Sequence, residues 1–141
     1  MSEIDVFVDS LREAFYALRV STSQLLEEHG CTAVERGVLY ELAKHGPRTV
    51  PAMARLRSIS RQAMQKTVDA MISRGWLRTA TNPEHARSQL IALTPSGTKL
   101  WTQIERRESA LLARELPVSA TELTRATAVL QKLKPYFEGL S

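Results

Sequence analysis

The polar side chains between Ser60 and Lys66 are of the types that contact DNA, and their spacing is helical. An arginine can form two hydrogen bonds with guanine and a glutamine two with adenine, so Arg61 and Gln62 are candidates for contacts with base edges. Gln65 follows Arg61 by one helical turn and shares its side of a helix. Ser60 and Lys66 suit phosphate contacts. An ordinary amphipathic surface helix would present a similar polar face, and both interpretations stay open here.

A second candidate contact is Arg87, in the polar segment between two short β-like runs. An arginine on such a loop can enter a narrow minor groove, where the negative potential of DNA is concentrated. A solvent-exposed arginine without a binding role is an equally good interpretation of the loop taken alone.

Positive charge is concentrated in the centre of the chain. The 141 residues carry a formal net charge of +4, yet residues 48–87 contain eight basic and two acidic side chains, a local excess of +6. The basic residues are Arg48, Arg55, Arg57, Arg61, Lys66, Arg74, Arg78 and Arg87. A phosphate-binding surface requires such a local excess, and a solvated basic face is the alternative.

The hydrophobic pattern predicts helices through the first half of the chain. An apolar stripe predicts a long helix over residues 4–28. Thr32, Thr49 and Ser60 then stand as N-cap residues before three short helices, with a tight turn at residues 57–59 between the last two. Two short helices joined in this way form a helix-turn-helix, whose second helix enters the major groove.

The second half of the pattern predicts a β-hairpin and two more helices. The strands are expected at residues 76–81 and 89–93, with polar loop residues between them. Thr94-Pro95 opens the next helix, Pro117 breaks it, and the capping box Ser119-Ala120-Thr121-Glu122 opens the last. The predicted fold class is therefore mainly α: a winged helix-turn-helix flanked by N- and C-terminal helices.

Two apolar stripes at opposite ends of the chain, over residues 4–25 and 123–137, are more than one winged domain can cover. They predict a homodimer. We expect an N-terminal dimerisation helix at 1–31, a DNA-binding region at 32–94 and C-terminal dimerisation helices at 95–141, together one intertwined domain.

The stretch from Thr32 to Gly97 resembles the MarR family of multiple antibiotic resistance regulators. The residues that carry the resemblance are Thr49-Val50-Pro51-Ala52-Met53-Ala54, Ser60-Arg61-Gln62-Ala63-Met64-Gln65, Val68-Asp69-Ala70-Met71, Gly75-Trp76-Leu77 and Leu93-Thr94-Pro95-Ser96-Gly97. The resemblance implies a sequence-specific homodimeric regulator of transcription, most commonly a repressor. It also implies palindromic operators in double-stranded DNA and release by a small aromatic effector.

By this resemblance Arg87 matches the wing arginine that enters the minor groove. The family usually has an aspartate two residues earlier that orients the arginine, and His85 stands there in this chain. Glu84 is adjacent and could substitute, whereas Ala86 replaces a second arginine that is often present. The candidate DNA contacts are Thr49, Ser60, Arg61, Gln62, Gln65, Lys66, His85 and Arg87.

Four further residues are candidates for an effector cavity between the scaffold and the winged region. They are Phe15, Arg19, Tyr40 and Trp101. A core or interface role is the alternative for each aromatic side chain. Cys31 offers a redox switch as an alternative mode of regulation, and a buried, inert thiol is the competing interpretation.

Other classes of function have less support in the sequence. The three histidines, His29, His45 and His85, lack metal-ligand spacing, and no metal or cofactor is expected. No glycine-rich phosphate loop, nucleophile elbow or carboxylate pair indicates an enzyme. A winged helix that binds only protein remains an alternative, although it would gain little from a basic surface. The absence of a long apolar run or a basic signal segment, together with one cysteine, predicts a cytoplasmic protein without membrane contact.

Overall fold

The computed structural model describes all 141 residues, as six helices and one three-stranded antiparallel sheet. The helices are α1 (Glu3–Glu28), α2 (Ala33–His45), α3 (Val50–Arg57), α4 (Arg61–Ser73), α5 (Pro95–Leu112) and α6 (Ala120–Glu138). The strands are β1 (Arg48–Thr49), β2 (Leu77–Ala80) and β3 (Leu90–Leu93). None of the helices combines the length and the apolar character needed to cross a membrane.

Side-chain caps begin the helices at the residues that the sequence indicates. The hydroxyls of Thr49 and Ser60 accept hydrogen bonds from the backbone N–H groups three residues on, at 3.2 and 3.0 Å. Thr32 and Ser119 form complete capping boxes. Each cap satisfies N–H groups that have no partner within the helix. A further capping box, not predicted from the sequence, lies at Ser2 before α1.

The hairpin forms as predicted, and each strand lies within one residue of its expected bounds. We call β2, β3 and the loop 81–89 the wing. The sheet has the order β1-β3-β2, with Arg48 of β1 opposite Ile91 of β3. Strand β1 was not predicted from the sequence, since two residues after a Gly-Pro pair show no alternation and only the pairing with β3 defines the strand.

A tight turn joins α3 to α4. Ser58 adopts the left-handed conformation with φ 53°, and the N–H of Ile59 donates to the oxygen of Ala54 at 3.1 Å. The turn therefore closes over the last residues of α3 before Ser60 caps α4. The core around the turn is drawn from α2, α3, α4 and α5, and its most deeply buried side chains are Val38, Leu39, Met53, Met64, Val68, Met71 and Ile104.

The start of α5 is in direct contact with the backbone of Gly75 and Trp76, the two residues before β2. The N–H of Thr94 donates to the oxygen of Trp76 at 3.1 Å, and the Thr94 hydroxyl donates to the oxygen of Gly75. The same hydroxyl accepts from the N–H of Gly97 at 3.0 Å and thereby caps α5. A Cβ at Gly97 would overlap the Trp76 carbonyl oxygen and lie 3.0 Å from its carbon, so this approach requires glycine.

The chain divides into two compact units, Met1–Glu108 and Ser109–Ser141. Within the first, α1 is buried only near its end, at Thr22, Leu25 and Leu26. Helix α5 ends at Leu112, ahead of Pro117, and no residue of α6 is buried. The predicted three-part division by function stays a prediction.

Candidate nucleic-acid interface

The first turns of α4 are open to solvent, while its other side is fixed in the core. Met64, Val68 and Met71 have no exposed surface, so the helix is held firmly by its apolar side. No acidic residue stands in the first turn, which leaves the free N–H groups available to an anion. The exposed polar residues are Ser60, Arg61, Gln62, Gln65 and Lys66.

One of these side chains is already oriented. The amide nitrogen of Gln65 donates to Oδ1 of Asp69 at 2.8 Å, one turn further along α4. This bond fixes the plane of the amide and leaves its oxygen free to accept. Arg61 and Lys66 form no salt bridge within the chain. Both charges are therefore available to an external partner.

The wing presents Arg87 and His85 on its exposed loop. The loop is shaped by its own bonds: Oδ1 of Asn82 accepts from the N–H of Glu84 at 3.1 Å, and the oxygen of His85 accepts from the N–H of Ser88 at 3.2 Å. Neither Glu84 nor any other carboxylate forms a salt bridge with Arg87. The arginine is thus unbraced in the free protein.

Thr49, the remaining candidate contact, occupies a different kind of position. It is the last residue of β1 and the N-cap of α3, it is only half-buried, and its hydroxyl is engaged by the N–H of Ala52. The hydroxyl can still donate to a phosphate oxygen while it accepts this bond.

The charge count along residues 48–87 overstates the free positive charge. Arg74 pairs with Glu35 at 2.8 Å, and Arg57 and Arg48 both face Glu41 at 3.6 and 3.9 Å. The two glutamates lie on α2, outside the segment that was counted. Five basic residues are exposed and form no salt bridge: Arg55, Arg61, Lys66, Arg78 and Arg87. Arg55 and Arg78 are candidate phosphate contacts that the sequence analysis did not single out.

Comparison with known proteins agrees with this geometry. A family model described as MarR family matches residues 29–88, which span α2 to the wing loop. The region from α2 to the wing loop is therefore a MarR-family sequence. The Multiple antibiotic resistance protein MarR of Salmonella typhimurium is 27% identical to it over 106 residues, 74% of either chain. A further match, 26% identical over 97 residues and 66% of either chain, is to an HTH-type transcriptional regulator of Staphylococcus aureus.

Solved MarR structures share the fold over nearly the whole chain. A Staphylococcus aureus MarR in complex with salicylate and kanamycin is similar with a TM-score of 0.80 and 20% identity, covering 97% of this chain and 93% of the other. An E. coli MarR variant in complex with operator DNA has a TM-score of 0.73 and 21% identity, with 94% and 96% covered. The mainly helical winged helix-turn-helix predicted from the sequence is confirmed.

The candidate effector residues form two pairs. Tyr40 and Trp101 pack edge to face with ring centroids 5.8 Å apart, and the Arg19 guanidinium lies 5.8 Å from the ring of Phe15. No aromatic or cation–π contact joins one pair to the other. Trp101 is buried, with Arg36 over its ring at 5.2 Å, whereas the other three are exposed.

The three histidines lie apart from one another. His29 shares a 3.2 Å contact with Arg107, His45 packs against the ring of Tyr40, and His85 is in the wing loop. No group of three or more His, Cys, Asp or Glu side chains has an arrangement that could hold a metal ion.

Cys31 is buried, and its Sγ donates to the oxygen of Thr32 at 3.4 Å. Burial, together with the negative charge of Glu35, raises the pKa of the thiol to about 12. The thiolate is the reactive form of cysteine, so this environment opposes oxidation. The structure therefore favours the inert thiol over the redox switch.

We expect Cys31 to react slowly with a thiol reagent in the folded protein. At pH 8 its thiolate fraction should be about a thousandfold lower than in the unfolded chain, because the pKa rises from 9.0 to about 12. Labelling rates in buffer and in denaturant measure the ratio directly. A folded-state rate within tenfold of the unfolded rate would show that the thiol is accessible and reactive.

Proposed function

We propose that this chain is a sequence-specific DNA-binding repressor that acts as a homodimer. The observation that carries the proposal is the N-terminal half of α4, where Arg61 and Gln62 are open to solvent and Met64 fixes the helix from the core side. This is the arrangement that major-groove recognition requires. The E. coli MarR variant that shares the fold binds operator DNA.

The dimer is proposed from two helix faces that lack a partner. Helix α1 exposes Phe15, Tyr16 and Val20, and α6 exposes Val129 and Leu130, among others. A second copy that covers such faces would remove apolar surface from water. We propose that residues 1–31 and 95–141 form the dimer and that residues 32–94 bind DNA. Two-fold symmetry then requires a palindromic operator with half-site centres about 34–36 Å apart.

A small aromatic effector is proposed to release the DNA. The S. aureus MarR relative carries salicylate. In this chain Tyr40 offers an exposed aromatic edge beside the buried Trp101, and Arg19 offers a cation beside Phe15. These residues provide aromatic surface and positive charge, the chemistry that an aromatic acid would use.

Selection from a random pool of double-stranded DNA tests the proposal. We expect enrichment of a two-fold symmetric site, bound by a dimer with an affinity that falls steeply between two salt concentrations. Arg61→Ala should abolish the enrichment. Arg106→Ala is the matched control, because it removes the same charge from an exposed, unpaired position on α5. A pool without enrichment, or a footprint of one asymmetric half-site, would contradict the proposal and favour a protein-binding winged helix.

A further inference from the structure

Glu41 is a buried carboxylate that the proposed function leaves without a role. It lies on α2 with only 8% of its surface exposed. Its two oxygens face arginines from different parts of the winged region: Oε1 is 3.9 Å from Nε of Arg48, and Oε2 is 3.6 Å from Nη2 of Arg57. Because neither arginine has another salt bridge, Glu41 is their shared counter-charge.

Arg57 connects Glu41 to the helix-turn-helix. It is the last residue of α3, and Ser60, the N-cap of α4, follows three residues later. Its Nη2 donates to the oxygen of Gly37 on α2 at 2.8 Å. A Cβ at Gly37 would lie 3.1 Å from Cζ and Nε, so the guanidinium rests directly on the α2 backbone. The turn before α4 is therefore fastened to α2 through one side chain.

Arg48 connects the same carboxylate to the wing. It belongs to β1 and pairs with Ile91 of β3, the central strand of the sheet, which in turn pairs with β2. The Nε atoms of Arg48 and Arg57 are both buried and have no hydrogen-bond acceptor. Arg57 also donates to Gly37 and lies 5.8 Å from the ring of Tyr40, but Glu41 is the only carboxylate within salt-bridge distance of either arginine. Removing its charge would leave two partly buried cations close to each other.

We propose that Glu41 is a positioning residue that holds the recognition helix α4 and the wing in register with each other. The inference rests on the proposed DNA-binding function. Binding to an operator requires both elements to meet their grooves at once, whereas binding to random DNA depends mainly on charge. Loss of the Glu41 charge should therefore weaken operator binding while it strengthens binding to random DNA.

The test compares Glu41→Gln with Glu105→Gln. Each substitution removes one negative charge from a glutamate that faces a cation, and Glu105 pairs with Lys44 at the surface. Full-length variants would be titrated with the selected operator and with a scrambled duplex, after the binding-competent fraction is measured. Glu105→Gln should leave the operator-to-scrambled affinity ratio unchanged, and Glu41→Gln should lower it at least about tenfold. Equal ratios for the two variants would overturn the proposal.

A second pair of variants keeps the test decisive if Glu41→Gln does not fold. Arg57→Gln and Arg48→Gln should each weaken operator binding more than binding to scrambled DNA. Equal losses on both duplexes would identify ordinary phosphate contacts and overturn the positioning role. If Glu41→Gln folds, it can be combined with Arg57→Gln. The double variant should lose no more operator affinity than the single variant with the larger loss, and additive losses would refute the shared role.

Titration of the wild-type protein distinguishes a failure of the proposed function from a failure of the role proposed for Glu41. If it binds the selected operator no better than the scrambled duplex, the proposed function itself is wrong. If it discriminates but the Glu41 and Glu105 variants behave alike, only the role of Glu41 is wrong.

Discussion

Gly97→Ala is expected to lower the free energy of unfolding by about 3 kcal/mol, the upper end of the usual cost of overpacking. The added methyl group would overlap the carbonyl oxygen of Trp76 and would lie 3.2 Å from Cδ2 of Leu93. The obstacle is backbone rather than the end of a flexible side chain, so α5 or the hairpin must shift as a whole. The bonds from Thr94 to Gly75 and Trp76 would be strained by the same shift.

Gly139→Ala is the matched control for this substitution. Gly139 has a φ of −74°, and a Cβ there would meet its nearest atoms at 3.5 Å, an ordinary contact. The control should be neutral or slightly stabilising, because it restricts the unfolded chain at no steric cost. Denaturant melts of both variants at one fixed protein concentration measure the difference. Equal midpoints for Gly97→Ala and wild type would mean that the approach to Trp76 is looser than described.

Gln62→Ala is expected to cost roughly 1–3 kcal/mol of operator binding and to leave binding to random DNA nearly unchanged. Gln62 is exposed in the first turn of α4, where a side chain reaches base edges in the major groove. An uncharged amide contributes little to the attraction of phosphate, so its loss should appear only where a matching base is present. Binding curves on operator and scrambled duplex at two salt concentrations provide the measurement.

Arg87→Ala is the matched contrast, since we expect the wing loop to reach only the minor groove or the DNA backbone. It should weaken binding to both duplexes and lower the salt dependence by about one counterion. Because Arg87 has no carboxylate partner, His85→Asp should strengthen operator binding by holding the arginine toward the groove. If Arg87→Ala has no effect on either duplex, the wing does not contact DNA in this protein. A Gln62→Ala loss that is equal on both duplexes would likewise remove that residue from base recognition.

Local features of the fold could be predicted from the sequence, because their causes lie within a few residues. The caps at Thr32, Thr49, Ser60 and Ser119 each bond to an N–H three residues away, so type and spacing identify them. The hairpin was predictable for the same reason. Strand β1 was not, since it exists only through its pairing with β3, far along the chain.

The candidate site shows the same division between local and distant causes. The polar face of α4 follows from helical periodicity, and its exposure agrees with the pattern. The pairing of Arg74 with Glu35 joins residues that lie far apart in sequence, and no spacing rule connects them. A count of charges along residues 48–87 therefore could not distinguish the arginines that pair with glutamates of α2 from those that are available to bind phosphate.

The close contact between Gly97 and Trp76 couples the position of α5 to that of the hairpin. Thr94 is hydrogen-bonded to Gly75 and Trp76, the two residues before β2, and the carbonyl group of Trp76 fills the space beside Gly97. At 1.5 Å per residue, Glu108 lies roughly 16 Å along α5 from Gly97, and the pair it forms with Arg36 of α2 resists sideways movement there. A displacement of about 1.5 Å at that end corresponds to a tilt of about 5°. Because Thr94 is bonded to the residues before β2, we expect the hairpin to rotate with α5, so that a small displacement at Glu108 would change the direction of the wing loop.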